Sequence, residues 1–430
     1  MNHNLTIGYF AMKTPKLDKR KLLLASVLVV VTNHCEAFLQ PHFGFRPRFT
    51  RAALHSTSID EFEPVSSESD YQHESIVVEA PLKFLGPYAA IGLRFPNLAT
   101  SAQRARNVSG VSLDFVLDTA ANVNTINGQV AQELQLQIVG EALPGVGSAG
   151  TISGGHTYEL GDTQLERGRI LPEPTHEEEK EPFLFMQNLT ASALPVASPA
   201  SAGLLSLAFL SCFEGGVEFS WGSSPNAMKD GLLVDQPTIK FFAEKDTVAA
   251  NEAIQGLCKV PINPIPVTQL PSIVLNINGV QIPALLDTGS PVTVFNSEAA
   301  KQAGIETITL ESLSSSSSKK SNNPFAAVAN RFKEAQEMAK ANAEGKILTI
   351  AGMNGPVNLF KSVDTIEISA VGKDDVVSFG RGHIYVGDIP GLAALNGIGV
   401  DAPPAVVLGM DVIRRKPKMI LRARDNEVYF

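Results

Sequence analysis

Two stretches of the chain, FVLDTAANVNTIN at Phe115–Asn127 and ALLDTGSPVTVFN at Ala284–Asn296, align over their whole length without a gap. Each begins with apolar residues that predict a buried strand and then passes through an Asp-Thr turn into a second strand rich in Val, Thr and Ile. Each ends in an Asn that is suited to cap a helix. Repetition of a whole unit indicates two similar lobes in one chain. The sequence therefore predicts a mostly β fold built twice.

The similarity of the two halves extends beyond these stretches. Leu204–Leu210 reads LLSLAFL, and Val407–Ile413 reads VLGMDVI. Each pattern predicts a buried apolar segment that leads to a closing strand. We place the first lobe at residues 80–258, a proline-rich linker at 259–271 and the second lobe at 272–430.

An insertion at residues 311–345 explains why the second copy is longer. A Ser/Lys/Asn-rich tract leads into Asn323-Pro324, which predicts the start of a helix that runs to about Gly345. We expect this helix to pack on its own lobe behind a flexible tether, in preference to binding a partner or a membrane. Its predicted apolar stripe consists of Phe325, Val328, Ala329, Phe332, Ala335, Ala339 and Ala343.

Composition narrows the functional class. The formal net charge of -9 argues against a nucleic-acid partner, which requires a basic face. Three cysteines, Cys35, Cys212 and Cys258, show neither the spacing of a zinc site nor that of a disulfide framework. We expect no metal and no cofactor, and a protein or peptide as the substrate.

The first 59 residues predict a targeting presequence that is removed from the mature fold. A basic run precedes the apolar segment Leu22–Val31, which is too short to span a bilayer and is typical of a signal peptide. After Ala37-Phe38, an Arg-rich, acid-poor tract extends to Ser58. This order resembles the bipartite presequences of algae with secondary plastids. We expect plastid localisation, with a plain secretory signal as the alternative and no stable membrane span in the mature chain.

The Leu286–Ser290 segment, LDTGS, resembles the active-site signature of aspartic peptidases, and Val407–Gly409 resembles their hydrophobic-hydrophobic-Gly element. The resemblance covers the chain from about residue 80 to the C-terminus. Within this clan, the Leu408–Asp411 string is more similar to retropepsin-like proteins of plants and algae than to secreted pepsins. The resemblance implies two homologous lobes of the aspartic-protease β-barrel type, with short helices and a cleft between the lobes.

Two carboxylates, Asp118 and Asp287, are the catalytic candidates. Held close together, they cannot both ionise cheaply, so one pKa is raised and the pair shares a proton. The ionised member can deprotonate a water molecule while the protonated member polarises the substrate carbonyl. One aspartate from each lobe forms the pair, so no homo-oligomer is required for the active site.

The resemblance also implies supporting roles around the pair. The hydroxyls of Thr119 and Thr288 would bond across the lobe junction, and Ser290 would bond the outer oxygen of Asp287. Ala121, the counterpart of Ser290, lacks a hydroxyl, so we expect Asp118 to hold the shared proton. Candidate dyad-supporting residues are Thr119, Thr288, Gly289, Ser290 and Ala120.

The resemblance also implies a glycine-rich hairpin that covers the cleft, and both lobes contain a glycine-rich stretch at a suitable position. Glycines allow a hairpin to bend and let its backbone approach a peptide. An ordinary flexible hairpin is the alternative interpretation. The candidate flap and substrate-binding residues are Gly145, Gly147, Gly150, Tyr158, Gly352 and Gly355.

The first lobe departs from the family pattern at two positions. Ala120 stands where the family has Gly, and Ser206 stands where the distal Gly is expected. If either turn requires a positive φ, the added side chain would strain it. The leading hypothesis is an aspartic endopeptidase; the alternatives are a catalytically silent peptide-binding protein on the same fold and a peptidase that processes its own leader or insertion.

Overall fold

The computed structural model describes residues 30–31, 77–146, 152–171, 184–194, 201–222, 228–229, 232–233, 236–266, 268–308, 335–352, 355–389 and 403–430. Within these ranges the fold is mostly β, with a few short helices. None of the described helices is long and apolar enough to cross a membrane.

The first half of the chain contributes fifteen described strands and four helices. The strands are β1 (Val30–Val31), β2 (Val77–Pro81), β3 (Lys83–Leu85), β4 (Tyr88–Phe95), β5 (Val111–Asp118), β6 (Thr125–Asn127), β7 (Gln137–Val146), β8 (Ile152–Leu165), β9 (Arg169–Leu171), β10 (Leu184–Leu194), β11 (Gly203–Ser206), β12 (Gly216–Ser220), β13 (Met228–Lys229), β14 (Leu232–Leu233) and β15 (Thr238–Phe242). The helices are α1 (Ser101–Ala105), α2 (Gly128–Leu134), α3 (Leu207–Leu210) and α4 (Val248–Ile254).

The second half contributes the remaining described elements. Its strands are β16 (Lys259–Pro261), β17 (Asn263–Pro264), β18 (Pro271–Ile277), β19 (Val280–Leu286), β20 (Val294–Phe295), β21 (Ile347–Gly352), β22 (Gly355–Lys361), β23 (Ile366–Val371), β24 (Val376–Gly382), β25 (Tyr385–Val386), β26 (Val406–Leu408), β27 (Lys418–Arg422) and β28 (Glu427–Tyr429). Its helices are α5 (Ser297–Gln302), α6 (335–343) and α7 (Met410–Ile413), with a 3-10 turn at Ala423–Asp425.

Each half forms its own large sheet. The first has the strand order β1-β7-β8-β10-β6-β11-β5-β4-β3, and the second has the order β21-β22-β25-β20-β26-β19-β18-β23-β24. A third sheet, β16-β28-β27-β12-β15-β2-β9, takes strands from both halves. Its two halves meet where β12 pairs with β27, with Phe219 opposite Met419. This shared sheet joins the two lobes.

The same strand crossing occurs in both lobes. In the first lobe, β11 lies parallel to β5 and antiparallel to β6; in the second, β26 lies parallel to β19 and antiparallel to β20. Leu205 pairs with Leu117, and Leu408 pairs with Leu286, so the register is also equivalent. The crossing carries each aspartate at, or directly after, the end of a central strand. The predicted repeat is thus present in three dimensions.

Apolar residues before each aspartate hold these strands in the core. Phe115 and Leu117 on β5 are fully buried, as is Leu286 on β19. The predicted helix caps are confirmed: Asn127 accepts a hydrogen bond from the Gln129 N–H, and Asn296 accepts one from the Ala299 N–H. Packing and capping together fix the chain on both sides of each Asp-Thr turn.

The expected start of the first lobe, the linker and the presequence can be compared with the described strands. The described part of the first half starts with β2 at Val77, and residues 259–264 of the expected linker form β16 and β17. Of the presequence, only Val30–Val31 is among the described residues, where it pairs with the end of β7.

The insertion helix is confirmed in part. Residues 335–343 are helical, and the predicted start at Asn323-Pro324 lies outside the described residues. The predicted apolar stripe is wrong in the described part, because Ala335, Ala339 and Ala343 are exposed. Ala341 is buried instead, and Asn342 donates to the Thr349 hydroxyl on β21. The helix therefore buries Ala341, not the predicted alanines, and contacts the neighbouring hairpin through Asn342.

Candidate active site

The two aspartates lie in equivalent loops at the junction of the lobes. Asp118 is the last residue of β5, and Asp287 directly follows β19. Their side chains are buried, with relative exposures of 2% and 3%. An isolated buried carboxylate is costly, so both groups need hydrogen-bond donors or a proton.

Reciprocal hydrogen bonds between Thr119 and Thr288 lock the two loops together. The Thr119 N–H donates to Thr288 Oγ1 at 3.1 Å, and the Thr288 N–H donates to Thr119 Oγ1 at 3.0 Å. The Thr119 hydroxyl donates to the Leu286 carbonyl at 2.5 Å, and the Thr288 hydroxyl donates to the Leu117 carbonyl at 2.8 Å. This is the cross-junction arrangement that the family resemblance implied. It places the two aspartates in a nearly symmetrical frame.

Hydrogen bonds also reach the carboxyls themselves. The Ala120 N–H donates to Asp118 Oδ1 at 2.8 Å, whereas the Ala121 N–H donates to the Asp118 backbone carbonyl at 3.4 Å. In the second lobe the Ser290 N–H donates to the Asp287 backbone carbonyl at 3.3 Å, and the Gly289 and Ser290 N–H groups lower the pKa of the Asp287 carboxyl. The two carboxyls hydrogen-bond to each other, which brings one aspartate from each lobe into a single acid pair.

The surroundings raise the pKa of both carboxyls. Burial raises the pKa of Asp287 to about 7, against the lowering effect of the Gly289 and Ser290 amides. Burial raises the pKa of Asp118 well above its usual range, and the negative charge of Asp287 raises it further. Two close carboxyls share a proton because the second ionisation places like charges side by side. The negative charge of Asp287 favours the protonated form of Asp118, which agrees with the expectation that Asp118 holds the shared proton.

The expected cause of this asymmetry is wrong. The Ser290 hydroxyl donates to the Val292 carbonyl at 2.9 Å, so it is not directed to Asp287. Ser290 instead supports Asp287 through its backbone N–H. Asp287 Oδ1 is buried and has no hydrogen-bond partner among the described protein groups. The inequality of the pair therefore does not come from a serine hydroxyl.

The departures at Ala120 and Ser206 do not strain the backbone. Neither residue is among those with a positive φ. Ser206 has φ −87° and ψ 177°, and its counterpart Gly409 has φ −96° and ψ 178°, so both adopt the same extended conformation. A side chain is compatible with that conformation.

The space around these two positions nevertheless differs. A Cβ on Gly409 would overlap the Val292 carbonyl, whereas Ser206 fits with its hydroxyl donating to Asn124 Oδ1 at 3.0 Å. Asn124 also accepts from the Ser206 N–H, and Thr293 accepts from the Gly409 N–H in the second lobe. Each lobe thus uses its own pair of residues to hold the same turn.

Sequence reasoning missed these holding residues. Asn124 and Thr293 occupy matching positions six residues after their aspartates, so the gapless alignment contained a signal for them. Asp411 was also missed: it is mostly buried and accepts from the Thr293 hydroxyl at 2.7 Å. Burial raises the pKa of Asp411, although the Thr293 bond and the nearby Arg415 oppose this. No sequence signal indicated its contact with Thr293.

The flap candidates lie on hairpins in both lobes. Gly145 lies on β7 opposite Ser153 of β8, whereas Gly147 and Gly150 lie outside the described residues. Gly352 and Gly355 face each other at the end of the β21–β22 hairpin. The hairpins are present, and their role in covering a substrate stays a prediction.

Tyr158 has a different setting from the glycines. It lies along β8, packs partly against the core of the first lobe and meets the His156 ring edge-on at 6.4 Å. Its role as a flap tyrosine stays a prediction.

The described residues contain no group of three or more His, Cys, Asp or Glu side chains that could hold a metal ion.

The two lobes, the repeated strand crossing and the buried pair of aspartates resemble the arrangement of aspartic peptidases. Residues 273–337 match the aspartyl protease family model, a segment that contains Asp287 and the beginning of the insertion. The sequence match thus lies in the lobe that carries the complete Asp-Thr-Gly signature.

Similarity to individual known proteins is low. The crystal structure of basic 7S globulin from soybean aligns with 11% sequence identity and a TM-score of 0.41, covering 82% of this chain and 96% of that chain. A comparison with curated proteins gives no match.

Proposed function

We propose that this protein is an aspartic endopeptidase that hydrolyses peptide bonds with a water molecule activated by Asp118 and Asp287. The observation that carries the proposal is the hydrogen-bonded pair of buried carboxyls, one from each lobe, in loops locked by Thr119 and Thr288. Two close carboxyls with one proton provide a general base and a general acid in the same site.

The two aspartates have different roles in this mechanism. The negative charge of Asp287 raises the pKa of Asp118, whereas the bond from Asp118 lowers the pKa of Asp287, so we assign Asp287 as the general base that takes a proton from water. Its Oδ1 is an acceptor that no described protein group uses. Asp118 keeps the shared proton and donates it toward the substrate carbonyl, which stabilises the negative charge that develops on the carbonyl oxygen. Burial strengthens both interactions because the local dielectric is low.

The hairpins support an extended peptide as substrate. The β7–β8 and β21–β22 hairpins come from different lobes and offer backbone groups that can pair with a peptide strand. A catalytically silent peptide-binding protein could use the same surface. The hydrogen-bonded carboxyls favour catalysis, because peptide binding alone does not need two buried acids that cost stability to desolvate.

Cleavage of a denatured protein and of a peptide library tests the proposal. The mature chain is compared with Asp118→Asn and Asp287→Asn, and with Asp425→Asn as a control that removes a carboxylate paired to Lys245 outside the site. We expect cleavage by the wild type and by the control and a loss in both active-site variants. Cleavage that survives both substitutions contradicts the assignment, and binding without cleavage over a broad pH range identifies the silent alternative.

We also propose that residues 1–59 direct the protein to a plastid. The apolar segment followed by an Arg-rich, acid-poor tract supports this proposal. A fusion of residues 1–59 to a fluorescent protein, expressed in an alga with secondary plastids, tests it. Plastid fluorescence is the expected result, and fluorescence in the secretory pathway or the medium identifies a plain signal peptide.

A further inference from the structure

Gly289 lies directly against the aspartate of the opposite lobe. A Cβ added to Gly289 would stand 2.5 Å from both Cγ and Oδ2 of Asp118 and 2.7 Å from Oδ1. Real side chains essentially never approach so closely, so this loop position has no room for a methyl group. Gly289, the third residue of the Asp-Thr-Gly loop, therefore lines one side of the Asp118 carboxyl.

The near-symmetry of the loops places Ala120 on the corresponding side of Asp287, with enough separation to admit its methyl group. The residues just before Ala120 and Gly289 make the same cross-junction bonds, with N–H to Oγ1 distances of 3.1 and 3.0 Å. Ala120 therefore faces the second lobe as Gly289 faces the first. In agreement, Ala120 is fully buried and packs in an apolar cluster that otherwise belongs to the second half of the chain and includes Leu285 and Val407.

We propose that the Ala120 methyl group covers the Asp287 carboxyl and restricts water there, so that Ala120 is a positioning residue that sets the pH range of the acid pair. The part that concerns cleavage rests on the proposed peptidase function. The chain has a methyl group on one side of the pair and bare backbone on the other. This difference makes the surroundings of the two carboxyls unequal.

Two features of Asp287 agree with such a cover. Its Oδ1 is buried without a hydrogen-bond partner among the described protein groups. Burial is the largest cause that raises the pKa of Asp287. The groups that face it are the Asp118 carboxyl and the amides of Gly289 and Ser290, all of which lower the pKa. Of the influences on the Asp287 pKa, burial is the one to which a methyl group on Ala120 can contribute, because it keeps water away from the carboxyl.

The variant Ala120→Gly removes the proposed cover and keeps the backbone N–H that binds Asp118. Readmitted water favours the ionised carboxylate, so the pKa of Asp287 should fall. We expect the acid limb of the kcat/KM profile to move to lower pH by about one unit. The profile shift separates this role from a structural one, which would lower kcat/KM without moving the limb. An unmoved limb contradicts the proposal.

The matched variant is Gly289→Ala. Its methyl would overlap the Asp118 carboxyl, so we expect a loss of cleavage of at least about 100-fold, in contrast to the active Ala120→Gly enzyme. Equal activity of Gly289→Ala and the wild type would show that this loop position does not press on the opposite carboxyl, and would overturn the argument from symmetry.

A readout that needs no activity separates this inference from the peptidase proposal. Carboxyl carbons of aspartate are titrated by NMR in the wild type and in Ala120→Gly, with Asp287→Asn to assign the signal. A fall in the Asp287 pKa supports the inference even when no substrate is cleaved, and an unchanged pKa overturns it. If Ala120→Gly does not fold, a high-resolution crystal structure of the wild type decides: the Ala120 Cβ should lie within about 4.5 Å of the Asp287 carboxyl, and a longer distance overturns the inference.

Discussion

Thr119 and Thr288 each donate a backbone N–H to the hydroxyl oxygen of the other, at 3.1 and 3.0 Å, across the junction of the two lobes. Each hydroxyl then donates to a leucine carbonyl of the opposite strand. Neither lobe can complete these bonds alone. The position of one aspartate relative to the other therefore depends on this pair of threonines.

Replacement of Thr288 by Val tests the lock. The change leaves the Thr119 N–H and the Leu117 carbonyl buried without partners, each at a cost of about 1–3 kcal/mol. We expect a lower free energy of unfolding in urea and a loss of cleavage, with partial retention of both in Thr288→Ser. The control is Thr125→Val, since the Thr125 hydroxyl is buried and has no hydrogen-bond partner among the described protein groups. Equal destabilisation by Thr288→Val and Thr125→Val would contradict the lock.

Cleavage should depend on pH in a manner unlike that of an acid-optimal peptidase. The base form of Asp287 appears as pH rises through about 7, and Asp118 retains its proton until a higher pH. The rate requires one ionised and one protonated carboxyl, so we expect kcat/KM to rise through about pH 7 and to fall in the alkaline range. A pH profile with a maximum near pH 3 or 4 would contradict the burial of the pair described above.

Folding stability should reveal the same titration. The pKa of Asp287 is raised in the folded state, so its contribution to stability is complete below the ordinary value of 3.8 and is lost as pH rises to about 7. Asp287→Asn lacks this loss. We expect the variant to gain stability relative to the wild type between pH 4 and pH 8, on the order of a few kcal/mol. A stability difference that is the same at both pH values would show that Asp287 titrates normally.

The equivalent turns at Ser206 and Gly409 should respond unequally to alanine. Ser206→Ala keeps an existing Cβ and removes the hydroxyl bond to Asn124, which costs about 1 kcal/mol. Gly409→Ala introduces a Cβ that overlaps the Val292 carbonyl, so we expect a loss of about 3 kcal/mol or more and weak cleavage. Thermal unfolding of the two variants makes the comparison. Similar melting temperatures of the two variants would contradict the prediction, because they would mean that both turns have room for a Cβ.

The repeat made the fold and the aspartate pair predictable from sequence. Strands, turns and caps in Phe115–Asn127 and Ala284–Asn296 are local features, and their duplication indicated two equivalent lobes. Symmetry then placed one aspartate from each lobe at the junction. The threonine bonds followed from the resemblance to a family, because no local pattern identifies a partner 169 residues away.

Features that depend on exact orientation were not predictable. The Ser290 hydroxyl has the Val292 carbonyl within reach, and this local bond competes successfully with Asp287. The helix at 335–343 is rich in alanine, whose small apolar side chain does not determine a buried face, so the sequence did not indicate that Ala341 is the buried alanine. Ser206 looked like a departure from the pattern because the alignment places Asn124 at the position that matches Thr293 but does not reveal the hydrogen bonds that join Asn124 to Ser206.

The most direct test of the central claim is kcat/KM of Asp287→Asn relative to the wild type, measured at the pH optimum on a peptide that the wild type cleaves. Asn keeps the shape of the side chain but cannot act as a general base, so we predict a loss of at least about 1,000-fold. Asp425→Asn, measured in parallel, should retain wild-type activity. An Asp287→Asn enzyme that is folded and retains activity within about tenfold of the wild type would contradict the assignment of Asp287 as the base.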